Sequence, residues 1–313
     1  MSSPVLFSVL LCVRSLSAPL LSGALQSLRE QSLPSREWEL ILVANESVER
    51  AKRYPQCAGG RFVLMHEARP GLLWARLLGF SECRGQFIVL MDDDARLGPD
   101  FLANAKRFVG TVPSVAVVGG TVAADPDGSA VPDPLKRAFS LRTVERSQRL
   151  EDGQLAEAPA GVGLVVRSDF FGQWQRTVRE RSWKQALGRR GALGGAGEDV
   201  DLVANALGGG KEVWLCPELQ VRHFVPPDRL RPCYLRRLIR VNNLGWNAVW
   251  YRHFAAPPVM PSNRCGVRLL VLRALSLWNA WRGNWERLIT LERQIALLLT
   301  FRGGGLDGED ART

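Results

Sequence analysis

Asp92-Asp93-Asp94 is the part of this sequence best equipped for chemistry. Three consecutive carboxylates closing an apolar run repel one another unless a cation or hydrogen-bond donors offset them. In extended backbone the two outer residues of a D-x-D triplet project to one side. Oxygen ligands of that kind suit Mg2+ or Mn2+, with phosphate oxygens completing the shell. The structural alternative is an acidic turn that caps the helix opening near Gly98-Pro99.

A second acidic cluster, Glu198-Asp199, lies about a hundred residues downstream, behind a glycine-dense stretch from Gly188 to Gly197. Acidic residues at a helix start are favoured by the helix dipole alone. Two separated carboxylate groups also permit a division of labour, one holding a metal and its phosphates and the other taking a proton. His223 is one of three histidines, and it follows a strand pattern. His66 and His253 show no partner in the sequence. Phosphate-binding glycine-lysine loops, zinc-protease motifs and dinucleotide fingerprints are absent.

The elements that must position these residues alternate between strand and helix. Val5–Val13, Trp38–Ala44, Arg61–Met65 and Gln86–Met91 read as buried strands. Helices are expected from about Leu20 to an end near Ser32–Pro34 and from Leu72 to Cys83. Units of this length imply βαβ crossovers and a mostly parallel sheet. Ligands of such sheets sit beyond the carboxyl ends of the strands. Three of the expected strands end there in polar loops, Cys12–Ser15, Asn45–Ser47 and Asp92–Asp94. Ser114–Gly119 and Glu212–Cys216 are further strands, and Glu198 opens a helix that runs to Leu207. From residue 230 the pattern is helical, with Gly283 bending or dividing it, and a frayed tail is expected from Gly303.

The chain has 313 residues and a net charge of +10. Between Arg222 and Arg302 there are 14 arginines, no lysine and three acidic residues, so this third carries +11. Five of the ten tryptophans, Trp246, Trp250, Trp278, Trp281 and Trp285, lie in it as well. Such a segment suits an anionic, partly apolar surface, for which a membrane fits better than nucleic acid; the alternative is a solvated helical cap. Six scattered cysteines without a C-x-x-C pair read as reduced. No apolar run reaches spanning length and no signal peptide is evident, which points to an intracellular chain.

These pieces together resemble the GT-A-fold inverting glycosyltransferases of the family-2 type. The residues that carry the likeness are Phe7–Val13, Trp38–Ser47, Gly71 with Ala75, Arg76 and Gly79, Gln86–Asp94, and Gly197–Asp201. The resemblance covers roughly residues 5–230. It implies an α/β fold of the GT-A, Rossmann-like kind with a C-terminal helical extension, divided into 1–230 for nucleotide-sugar binding and catalysis and 231–313 as a basic, Trp-rich helical region. It further implies a metal-dependent inverting glycosyltransferase of hexosyltransferase type. Such an enzyme moves a sugar from a nucleotide-diphosphate donor to an acceptor hydroxyl in surface or exported polysaccharide synthesis.

By the same resemblance Asp94 is the direct metal ligand, with Asp92 and Asp93 contacting ribose or metal-bound water and Asp92 sharing the metal. Arg76 lies near the diphosphate, Asp199 with Glu198 forms the catalytic pair, and Asp199 is the general base. His223 adds a metal or phosphate contact. Val13, Arg14 and Asn45 line the nucleotide loops. Cys12-Val13-Arg14-Ser15 stands where the family usually has Pro-Thr-Tyr-Asn, and Ala44-Asn45 where it usually ends a strand in two acidic residues or Asp-Asn. The family favours UDP, and these departures leave the base open. Mn2+ or Mg2+ is the expected cofactor, and a saccharide or lipid-linked sugar the expected acceptor. The expected location is cytoplasmic, peripheral at the cytoplasmic face of the membrane. Two other readings remain, a non-catalytic GT-A-like membrane or partner-binding module and a nucleotidyltransferase, though the latter's early glycine-rich, lysine-containing loop is missing.

Overall fold

The computed structural model describes residues 5–16, 20–46, 60–180, 196–254 and 265–302. Ser47, Cys57, most of the glycine run from Gly188 and the tail from Gly303 lie outside the described residues. Among the described residues, strands β1 (Phe7–Val13), β2 (Trp38–Ala44), β3 (Arg61–His66) and β4 (Phe87–Asp92) fall within a residue or two of the expected positions. They are followed by β5 (Ala95–Leu97), β6 (Val115–Ala124), β7 (Gln148–Leu150), β8 (Leu164–Arg167) and β9 (Glu212–His223). One sheet joins them in the order β3-β2-β1-β4-β8-β6-β9-β5, with β7 also paired to β9.

The first four strands are mutually parallel, as the alternation of strand and helix predicts. Beyond β4 the sheet is mixed. β8 runs antiparallel to both β4 and β6, while β9 is parallel to β6. Between β6 and β8 the chain forms β7 and two 3-10 turns but no α-helix, and an antiparallel partner does not need a crossover helix. β9 also runs past Cys216, the end of the strand expected from the sequence. Pro217 has no N–H for the ladder, and a register shift opposite Gly119–Thr121 absorbs it.

Each central strand is buried on both faces, which is why it reads as an unbroken apolar run. Phe7, Val9 and Leu11 face one core with α1 (Leu21–Arg29) and α3 (Phe101–Thr111). Leu10 and Cys12 face a second core with α2 (Leu72–Gly79), α4 (Ser168–Glu180) and α5 (Glu198–Gly208). This is the period-two alternation of a strand between two helical layers. α2 lies so close that a Cβ on Gly79 would come within 2.3 Å of Leu10 Cδ1, and this approach fixes the helix that carries Arg76. Helices α6 (Pro232–His253), α7 (Cys265–Trp281) and α8 (Trp285–Arg302) complete the chain, with Gly283 dividing the last two. Leu235, Leu238, Ala280 and Leu288 join the first core. No described helix is long and apolar enough to cross a membrane.

Candidate active site

The parallel register brings the expected loops to one edge. Val13 lies opposite Ala44, and Cys12 opposite Asp92, so Arg14, Asn45 and the acidic triplet all leave the same ends of adjacent strands. Val13 is buried and Arg14 exposed. Asn45 spends its amide donors on the carbonyls of Glu67 and Arg69, at 2.8 and 2.9 Å, which ties the β2 loop to the β3 loop. Arg69 grips the Glu67 carboxylate through its backbone N–H and its guanidinium, and it lies 4.3 Å over the Trp74 ring. That pairing holds the Glu67 carboxyl below its ordinary range. Ser15 donates to Glu46 and so braces the first loop against the second.

The triplet is not an extended D-x-D. β4 ends at Asp92 and the chain turns at Asp93 and Asp94 into β5, so the two outer carboxylates have separate partners. Asp92 Oδ1 is 3.4 Å from Arg76. Asp94 Oδ2 accepts from Arg229 at 2.6 Å and lies 3.4 Å from His223 Nε2. Asp93 lies between them, pushed up to about 6 by burial and by the charges of Asp94 and Asp92. Burial also acts to raise Asp94, but His223 and Arg229 outweigh it and hold that carboxyl well below the usual range.

His223 reaches the triplet because β5 and β9 pair antiparallel, with Ala95 opposite His223. The Phe139 carbonyl accepts a hydrogen bond from His223 Nδ1 at 2.8 Å, which turns Nε2 toward Asp94. Burial lowers the His223 pKa, and the Asp94 carboxylate more than reverses this, so the net shift is upward. The Phe224 N–H donates to the Asp94 carbonyl and locks the same junction.

The second acidic cluster meets the first at Arg76. This side chain is buried, and its other guanidinium nitrogen is 3.4 Å from Glu198 Oε1. Burial alone would lower its pKa, but the negative charges of Asp92, Glu198 and Asp199 override it and keep the guanidinium charged. Glu198 is therefore buried in an ion pair. Asp199 is half-buried, and the backbone N–H groups of Gly161 and Val200 donate to its carboxylate at 3.0 and 2.9 Å. A Cβ on Gly161 would stand 2.6 Å from Asp199 Oδ2, so only glycine permits this approach. Cys12 is buried beside these groups, and burial pushes its thiol up to about 12, which leaves it an inert apolar filler.

Three residues that the sequence does not single out adjoin the candidate site. Arg229 is one of the many C-terminal arginines, and only the tertiary fold distinguishes it. His253, for which the sequence showed no partner, is 2.9 Å from Asp201 Oδ1. Trp174 donates to Asp201 Oδ2 at 2.8 Å, so two elements clamp the first turn of the helix that carries Glu198 and Asp199. Trp174 belongs to α4, which follows the four-residue β8 directly, and neither element is among those expected from the sequence.

Among the described residues no three His, Cys, Asp or Glu side chains are grouped to hold a metal ion. The donor set at Asp94 nevertheless suits a divalent cation. Its Oδ1 is buried without a hydrogen-bond partner among the described residues, and the tethered His223 presents Nε2 to the same carboxylate. Phosphate oxygens of a bound donor would supply the remaining ligands.

Comparison with known proteins agrees with this architecture. No curated protein sequence matches the chain. Among solved structures, S. aureus TarS 1-349 in complex with UDP superimposes with a TM-score of 0.51 at 15% identity, covering 96% of this chain and 92% of that one. A longer S. aureus TarS structure gives a TM-score of 0.51 at 14% identity over 93% of this chain, which spans 55% of the TarS chain. The likeness shows the GT-A fold. The family described as Glycosyl transferase family 2 matches residues 8–171, just over half of the sequence. The chain belongs to glycosyl transferase family 2 and is a glycosyltransferase.

Proposed function

We propose that this enzyme is a metal-dependent inverting glycosyltransferase that uses a nucleoside-diphosphate sugar, UDP-linked by preference, and acts in surface or exported polysaccharide synthesis. The observation that carries the reading is Arg76, which joins Asp92 of the first acidic cluster to Glu198 of the second. A donor-binding group at the end of β4 and a proton-accepting group at the start of α5 thereby lie side by side. The UDP bound by the structurally similar TarS supports the choice of nucleotide.

In this reading Arg14 and Asn45 border the nucleotide, and Asp92 and Asp93 meet its ribose or the water around the cation. Asp94 and His223 hold Mn2+ or Mg2+, which when bound neutralises charge on the departing diphosphate. Asp199, oriented by the Gly161 and Val200 N–H groups, takes the proton from the acceptor hydroxyl. The acceptor oxygen bonds to the anomeric carbon from the face opposite the leaving group. The carbon–oxygen bond to the diphosphate breaks with its electron pair on the diphosphate, and configuration inverts. Glu198 keeps Arg76 charged and in place.

Residues 1–230 form the catalytic unit and 231–313 the attachment region, peripheral at the cytoplasmic face of a membrane. α7 supports this. Among its described side chains a narrow stripe, Leu269, Leu272, Ser276 and Ala280, is buried, while Leu270, Val271, Leu277, Trp278 and Trp281 are exposed. No acidic residue occurs in α7, and Arg282 lies 5.4 Å from the Trp278 ring. A second copy of so basic a segment would repel it, whereas anionic lipid complements it. The acceptor is then a saccharide or lipid-linked sugar at that surface.

The test is release of UDP from UDP-sugars in the presence of Mn2+. Wild type should turn over, and Asp199→Asn should lose about 10²–10⁴ in kcat while still binding UDP. Turnover unchanged in Asp199→Asn would overturn the assignment of the base.

A further inference from the structure

Arg229 occupies an unusual place. It is on the short turn Pro227–Leu230 that leads into α6, whereas Asp92 and His223 belong to strands of the sheet. Its guanidinium sits 2.6 Å from Asp94 Oδ2, the carboxylate assigned above to the cation. The other oxygen, Asp94 Oδ1, is buried without a hydrogen-bond partner among the described residues. The two arginines paired with the acidic triplet differ in reach. The Arg76 side chain is 4% exposed and enclosed by carboxylates, whereas that of Arg229 is 24% exposed.

We propose that Arg229 is an exchange latch. In the donor-free chain it neutralises Asp94, and when a nucleoside diphosphate arrives with its divalent cation, Asp94 passes to the cation and Arg229 to the diphosphate oxygens. This rests on the donor reading above and adds to it a cause for ordered binding. A dication placed on Asp94 while Arg229 remains there sets two positive groups against one carboxylate. Repulsion at this range inside a partly buried site is severe. The diphosphate removes the conflict, because a guanidinium fork matches phosphate oxygens as well as it matches a carboxylate. Metal and nucleotide each then bind poorly alone and well together, and the coupling is reciprocal. His223 remains with Asp94 throughout, tethered through Nδ1 to Phe139.

Titrations of the full chain with MnCl2 alone, UDP alone and each in the presence of the other test this, with Mn2+ followed by electron paramagnetic resonance and UDP by calorimetry. In wild type, UDP should tighten Mn2+ binding by about tenfold or more. Arg229→Gln should bind MnCl2 alone about tenfold more tightly than wild type, bind UDP more weakly, and lose most of the mutual enhancement. Arg229→Lys keeps the charge without the fork. It should bind MnCl2 alone as wild type does and UDP more weakly, and it carries the test if circular dichroism shows that Arg229→Gln fails to fold. Wild type that binds both ligands, with Arg229→Gln unchanged toward both, overturns the latch alone. Wild type that binds neither overturns the latch and the donor reading together.

Discussion

Arg76 Nη1 lies 3.4 Å from Glu198 Oε1 across 122 residues of sequence, both side chains almost wholly buried. This contact gathers two acidic segments, each ambiguous alone, into one site. Removing one partner of a buried ion pair strands the other without compensation, which costs about 3–5 kcal/mol. Arg76→Met should therefore lower unfolding free energy by roughly that amount in urea titrations. The double variant Arg76→Met/Glu198→Leu should lose clearly less than the sum of the single changes. Strict additivity would show that the pair does not couple.

Gly161 supplies the second anchor of Asp199. Its N–H donates to Oδ2 at 3.0 Å, and an added methyl would intrude on that same oxygen. Gly161→Ala should displace the carboxylate and reduce kcat about 10²-fold, while UDP affinity stays near that of wild type. Steady-state kinetics with calorimetry separates the two. A fall in UDP affinity with kcat preserved would assign Gly161 to the donor pocket instead.

Much of the first half was legible because its strands are buried on both faces and its turns fall where polar residues cluster. The acidic triplet was visible because nothing in a buried strand explains three carboxylates. Arg229 and His253 were not, since an arginine among fourteen and a histidine without a sequence neighbour gain meaning only when β9 and α6 return to the sheet edge. β8 and α4 were missed for another reason. Leu164–Arg167 is only four residues long and runs directly into the helix, so neither period has room to show. Pro217 likewise concealed the continuation of β9 to His223, the step that carries the histidine to Asp94.

Glu67 gives a pH signature away from the triplet. Its pairing with Arg69 lowers the folded-state pKa below the ordinary 4.5, so the unfolded chain binds the proton more readily. The stabilisation is complete above the unfolded value and is lost as pH falls through the folded one. Because Arg69 is largely exposed, the effect is about 1 kcal/mol or less. Thermal melts of wild type and Glu67→Gln should differ at pH 6 and converge toward pH 3. The same variant loosens the turn that receives Asn45, so its KM for donor should rise while kcat holds. A gap that widens on acidification would contradict the pairing.

The exposed face of α7 predicts vesicle binding. Wild type should co-sediment with anionic vesicles at low salt and be released as salt screens the arginines. Trp278→Ala/Trp281→Ala should weaken binding about tenfold or more, since each large side chain contributes about 1.5–3 kcal/mol on full burial. Equal sedimentation of both proteins, or of wild type with neutral vesicles alone, would exclude this face as the anionic-membrane contact.

The most direct test of the central claim, a metal-dependent nucleotide site built on Asp94, is thermal denaturation with UDP in the presence of Mn2+ or EDTA, on wild type and Asp94→Ala. At a hundred times its dissociation constant a ligand bound only by the native state adds about 2.7 kcal/mol, which raises the melting temperature by several degrees. The account predicts that UDP stabilises wild type only with Mn2+ and that Asp94→Ala shows no such rise. Equal stabilisation in EDTA, or a full rise in Asp94→Ala, would contradict it.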